Sequence, residues 1–212
     1  MIMAKRVLLL VMVLAVLLSS VCLAQDNQQK PLKVVILPTV SSYGGYTKVQ
    51  AQLDRDLAKT MHMPLSGVLQ SVDYLDMSKN ENRVAVENAM SEAGYSLSPN
   101  DTTLKKTADI LGADVIVGYS IPVMYQQIYY TAFGLDDGPV LNSYITLKLW
   151  AYYRPLDKTV ALSNSQTYFE DLSPQGYLTE LASDASYYLN KKADLKNLLK
   201  QSIEINAQKG DV

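Results

Sequence analysis

The alternation of apolar and polar positions divides the chain into readable elements. Between residues 100 and 119, Leu104, Ala108 and Leu111 recur at i, i+4 and i+7, one stripe of a helix with 3.6 residues per turn. Gly112 follows, where a left-handed terminating residue costs nothing sterically. Val115, Ile116 and Val117 then run without a polar interruption, as in a strand covered on both faces. Burying each is worth roughly 1.5–3 kcal/mol, which makes this helix–strand pair the expected heart of the core. Upstream, Val34, Val35, Ile36 and Leu37 form a first buried strand closed by Pro38. Val49, Leu53, Leu57 and Met61 mark a helix over 47–61 that Pro64 prevents from continuing. Residues 68–75 predict a second strand with Val72 and Tyr74 inward. Ser78 and Glu81 have the spacing of a capping box for a helix ending at Gly94, and Ser98-Pro99 predicts the start of the next.

The second half reads as a meander and a closing helix. The strand through Val117 continues past Tyr119 and Ile121 to Pro122, which must break the ladder or sit on its solvent side. Residues 123–130 return to strand-like composition, and 131–139 are a loop. Residues 143–153 alternate: Ile145, Leu147, Leu149 and Ala151 on one face, Thr146, Lys148, Trp150 and Tyr152 on the other. A turn at 154–158 leads to a returning arm over 159–169. Ser173-Pro174 is expected to open the last helix, with Leu178, Leu181, Ala182, Ala185, Tyr188 and Leu189 as its buried stripe. The expected organisation is a signal peptide over 1–24, a disordered lead-in over 25–31, one domain over 32–206 and a frayed tail over 207–212. The fold class is α/β (α+β): a single mixed sheet of about four to five strands with three to four packed helices.

The octapeptide Leu111-Gly112-Ala113-Asp114-Val115-Ile116-Val117-Gly118 resembles a step in a small α/β domain of bacterial envelope proteins. That domain forms the N-terminus of TolB and occurs in the curli secretion protein CsgG and in the lipoprotein activators of peptidoglycan synthases. The order of elements over about 33–199 is similar too, and the hairpin resembles the family's meander. Asp157-Lys158 stands where the family has a glycine-containing turn. The resemblance implies an anticodon-binding-domain-like fold and a class of adaptors and activators, not one activity.

The N-terminus changes what the composition means. Lys5 and Arg6 precede an apolar run over 7–18, too short to span a bilayer comfortably. Small residues at Cys22 and Ala24 suit cleavage before Gln25. The alternative is lipidation of Cys22, though Val21 is bulky for a lipobox; an uncleaved anchor comes third. After cleavage no cysteine is left, so the exported chain depends on a packed core and not on disulfides. Losing Lys5 and Arg6 takes the 19 basic residues to 17 against 21 acidic, a net charge of −4. That disfavours nucleic acid and anionic membrane surfaces as partners.

Catalytic chemistry is hard to find. No G-x-S-x-G elbow or phosphate-loop spacing occurs, and Gly44-Gly45 lacks the following Lys-Ser/Thr. His62, the sole histidine, has no metal-binding neighbours and reads as a helix-end residue. The carboxylate pairs Asp54/Asp56, Asp136/Asp137 and Glu170/Asp171 read as solvated faces, and Asp136-Asp137-Gly138 as a turn rather than a calcium loop. No catalytic, cofactor-binding or metal-ligating residue is therefore assigned. Tyrosine is the anomaly: 15, against 2 Phe and 1 Trp. Tyr144, Trp150 and Tyr152 are the candidate partner-binding residues; the competing reading puts a helix over them. The expected function is a non-enzymatic, exported envelope module that binds an envelope protein or itself. The rival is a cell-wall glycan binder or hydrolase using carboxylates and exposed tyrosines.

Overall fold

The computed structural model describes residues 30–44, 46–62, 72–130 and 138–209. Six strands form one mixed sheet: β1 (Leu32–Ile36), β2 (Val40–Ser41), β3 (Val72–Tyr74), β4 (Val115–Tyr129), β5 (Val140–Tyr153) and β6 (Lys158–Asp171). Five helices pack on it: α1 (Thr47–Met61), α2 (Asn80–Ala93), α3 (Asp101–Leu111), α4 (Leu178–Ala193) and α5 (Leu195–Lys209). The strand order is β3-β1-β4-β5-β6, with β2 also pairing β4. β1 runs parallel to β3 and β4, whereas β4, β5 and β6 form an antiparallel meander. The mixed α/β class is as the sequence predicts. The extra strand is the two-residue β2, and the extra helix comes from a break in the last one.

Two hydrophobic clusters flank the sheet. On one face Val34, Val115, Val117, Tyr119 and Leu149 meet Leu53 and Leu57 of α1, Leu181 and Leu189 of α4, and Leu198 and Leu199 of α5. On the other, Val35 and Ile116 meet Val86 and Met90 of α2 and Leu104 and Ala108 of α3. Val115, Ile116 and Val117 are each 0% exposed, so the predicted heart of the core is covered on both sides. Asp114, just before them, ties neighbouring elements together. Its carboxylate accepts from the Lys33 amide at 2.9 Å, its own amide donates back to the Lys33 carbonyl, and its carbonyl accepts from Arg154 N. Gly118 sits where a Cβ would lie 2.9 Å from that of Leu37, closer than packed carbons tolerate. On the α1 side, Tyr119 Oη donates to Asn190 Oδ1 at 2.6 Å and Asn190 Nδ2 to Thr60 Oγ1 at 3.1 Å, joining β4, α4 and α1.

The helix boundaries depart from the sequence signals in instructive ways. Ser78 does not cap α2: its amide and hydroxyl both donate to Asp76 Oδ1, and Lys79 occupies the cap without a side-chain bond. Ser98 does not cap α3 either. Asn100 does, accepting from Thr103 N at 2.8 Å, while Ser98 Oγ accepts from Lys148 Nζ. Ser173-Pro174 opens a short 3-10 turn, Pro174–Gly176, with α4 starting afterwards at Leu178. That last helix then breaks at Asp194, which takes a left-handed conformation (φ 52°), and α5 continues through Lys209, past the expected frayed boundary at 207. Residues 1–24 and the lead-in up to 29, the first half of the expected second strand (68–71), and Asp136-Asp137 lie outside the described residues.

Candidate interaction surface

Pro122 decides which way the far end of the meander faces. Ser120 pairs with Lys148, but the next pair is Val123 with Thr146, so β4 spends three residues where β5 spends two. One inserted residue in a strand exchanges inside for outside. Before it, Val117, Tyr119 and Ile121 point into the cluster under α1 and α4; beyond it, Met124 does, and Val123, Tyr125 and Tyr129 turn to the opposite face. α2 and α3 do not reach that far. Their cover stops near Lys148, whose ammonium bonds Ser98 and lies 5.7 Å from the Trp150 ring centre.

The consequence is an open half-sheet. Pairing places Val123, Tyr125 and Tyr129 of β4, Val140, Tyr144 and Thr146 of β5, and Ser165, Thr167 and Phe169 of β6 on this one face. Tyr125 (45% exposed), Tyr129 (42%) and Phe169 (66%) are its large accessible rings. Tyr125 stacks on Tyr144 with centroids 5.7 Å apart, and Tyr129 meets Phe169 edge-on at 6.5 Å. The Tyr144 hydroxyl donates to Ser165 Oγ at 3.3 Å and accepts from Thr146 Oγ1 at 2.9 Å; these bonds, Ser165 first, hold its pKa below the usual tyrosine value. None of these nine side chains carries a charge; Asp171, opposite Val140, and Lys148 are the charges at the two ends of the face. The opposite face of the same hairpin is closed by the 3-10 turn, where a Cβ on Gly176 would lie 2.3 Å from Tyr168 Cδ1.

Of the three aromatic residues singled out in the sequence, only Tyr144 belongs to this surface. Tyr152 is 7% exposed and packs in the cluster under α2 and α3. Trp150 is half-buried against the same cluster, and its Nε1 donates to the buried Ser120 Oγ at 2.8 Å. The expectation of an exposed Tyr144–Trp150–Tyr152 patch is thus corrected: α3 covers the upper half of that face. Above Tyr152, Lys105 bridges Asp101 at 3.2 Å and Asp157 at 2.8 Å, an exposed ion-pair network pinning α3 to the hairpin turn. The residues missed are Tyr125, Tyr129 and Phe169. The signal that could have found them is Pro122, read as an inserted residue that inverts the alternation after it.

A cavity of about 480 Å³ opens beside the carboxyl ends of β1 and β3, lined by Leu37, Asp54, His62, Tyr74, Asp76 and Arg83 among others. Crevices at the carboxyl ends of parallel strands are where open α/β sheets bind ligands. Burial pushes the Asp54 carboxyl up, against hydrogen bonds from Thr39 Oγ1 (2.6 Å) and Thr39 N (2.9 Å) that pull it down. Asp76 is held below its ordinary value by the Ser78 hydroxyl and amide. His62 closes α1, as expected, with its ring centre 6.4 Å from that of Tyr74. Among the described residues no group of three or more His, Cys, Asp or Glu side chains is placed to hold a metal ion. None of their helices is long and apolar enough to cross a membrane.

No protein-family model matches the chain, and no curated protein does. Solved structures do. A lipoprotein from Neisseria meningitidis is 12% identical, with a TM-score of 0.42, over 77% of this chain and 99% of its own. A hypothetical protein from Chlamydia trachomatis is 11% identical, at 0.35, over 83% and 98%. A neuraminyllactose-binding hemagglutinin homologue from Helicobacter pylori is 12% identical, at 0.38, over 87% and 93%. These are weak likenesses to bacterial proteins, a lipoprotein among them, and they carry no argument about chemistry. The finer resemblance to TolB and CsgG is not shown by them.

Proposed function

We propose that the chain is an exported, non-enzymatic envelope module that binds a protein partner on the open half of its sheet. The observation that carries this reading is the inversion at Pro122, which turns Tyr125 and Tyr129 outward to join Tyr144 and Phe169 on a face no described helix covers. Exposed aromatic clusters of this kind are rare on surfaces with nothing to bind, and aromatic anchors dominate protein interfaces. The middle of the face is uncharged and hydroxyl-bearing, between Lys148 at one end and Asp171 at the other, so the partner it suits is a segment offering apolar side chains and hydrogen-bonding groups. Replacing Tyr125 and Phe169 together with Ala is expected to weaken partner capture at least about tenfold, in line with losing two anchors. Capture unchanged in a folded double variant would remove this surface from consideration.

A second reading rests on the cavity. Asp54 and Asp76 line one pocket with their pKa values displaced in opposite directions, an arrangement that acid–base hydrolysis uses. It supports the alternative of a cell-wall glycan hydrolase. Incubating the protein with peptidoglycan, beside Asp54→Asn and Asp76→Asn variants, separates the readings: turnover lost in both variants favours the cavity, and none in any sample favours the surface.

A further inference from the structure

β6 is the outer strand of the meander, and no described strand pairs with its far side. It is long, 14 residues, and it pairs with β5 from end to end without a register shift. Soluble proteins blunt such edges with charges, prolines, bulges or brevity, because a free row of N–H and C=O groups templates another strand. Between Thr159 and Phe169 this edge has no charge, no proline and no glycine. Its charges sit at the ends: Lys158 at the start, Glu170 and Asp171 at the finish. Lys158 and Glu170 are exposed, and among the described residues neither has a salt-bridge partner.

We infer that β6 pairs with β6 of a second copy of this chain, antiparallel about a two-fold axis through Asn164. Antiparallel neighbours place cross-strand partners on the same face, so two copies of one strand pair only in registers that match odd with odd and even with even. Centring on Asn164 sets Lys158 of each copy against Glu170 of the other, twice by symmetry. It also brings Val160 opposite Tyr168 and Ser163 opposite Ser165. A two-fold pairing of this kind is closed, so it yields a dimer rather than a fibre. Because the axis stands perpendicular to the sheet, both aromatic faces lie on one side, forming a continuous platform. The inference goes beyond the proposed function: it concerns the edge and not the face, and either can fail alone.

The test uses a chain that begins at Gln25, the expected product of cleavage, so that an introduced cysteine is the sole thiol. With Asn164→Cys the two thiols face each other across the axis, within disulfide reach, and oxidation is expected to give a covalent dimer. With Thr167→Cys they stand roughly 20 Å apart along the strands, at about 3.4 Å per residue, and no dimer is expected. Independently, sedimentation should record a dimer of the unmodified chain that Lys158→Glu weakens about tenfold, since two attractions become two repulsions. The double variant Lys158→Glu/Glu170→Lys should restore it. A monomer at every concentration, equal cross-linking from Thr167→Cys, or no recovery in the double variant would overturn the inference. A failed dimer alongside undiminished capture through Tyr125 and Phe169 would leave the proposed function standing.

Discussion

Asp54 takes both of its hydrogen bonds from Thr39 on one oxygen, yet burial still holds its carboxyl above the ordinary range. Its folded pKa exceeds its unfolded one, so the folded state binds the proton more readily. The resulting stabilisation is present below the unfolded value and is lost as pH rises through the folded one. Asp54→Asn keeps an oxygen to accept from Thr39 and carries no charge. It should therefore be more stable than the parent at neutral pH, with the advantage vanishing in acid below the ordinary carboxylate value. Thermal melts across that range measure it. Trp150 is half-buried against the cluster under α2 and α3 and bonded to Ser120, so Trp150→Ala should cost about 3 kcal/mol in denaturant melts, whereas Tyr125→Ala, on the open face, should cost about 1 kcal/mol or less. Gly118→Ala forces a Cβ against Leu37 and should cost about 1–3 kcal/mol by the same measurement.

At the scale of elements, strong periodic signals were legible and local caps were not. The stripes Val49-Leu53-Leu57-Met61 and Leu104-Ala108 are buried as their spacing predicts, because a helix face must be apolar wherever it meets a sheet. Gly94 and Gly112 terminate α2 and α3 in left-handed conformations, since few other residues adopt them cheaply. Ser78 and Ser98 misled because hydroxyls bond whatever lies nearest in three dimensions, here Asp76 and Lys148, and sequence spacing sees only neighbours in the chain. The break at Asp194 was invisible for a related reason: aspartate tolerates the left-handed region without advertising it as glycine does. Asp194→Gly should accordingly stabilise the protein by up to about 1 kcal/mol, relief of the side chain's strain being partly offset by the looser unfolded chain. A shifted denaturation midpoint with an unchanged slope would record it.

On the scale of the whole molecule, the proposed contact surface follows from a mismatch of lengths. β5 has 14 residues, about 48 Å at 3.4 Å per residue, whereas α3 has 11, about 17 Å at 1.5 Å per residue. One helical layer thus cannot cover the meander, and among the described residues no helix covers its far end. The sequence carried the mixed sheet, the buried Val115, Ile116 and Val117, and the tyrosine excess. It did not carry which tyrosines emerge, because one inserted residue at Pro122 inverts everything after it, and because α3 crosses back over Trp150 and Tyr152. Site-directed photo-cross-linking in the cells that make the protein tests the outcome most directly. A photoreactive phenylalanine analogue at Tyr125 or Phe169 is expected to capture one discrete partner protein, and the same analogue at Tyr187, exposed on α4, to capture none. Adducts from Tyr187 alone, or equally from all three positions, would contradict the assignment of the open half-sheet as the contact surface.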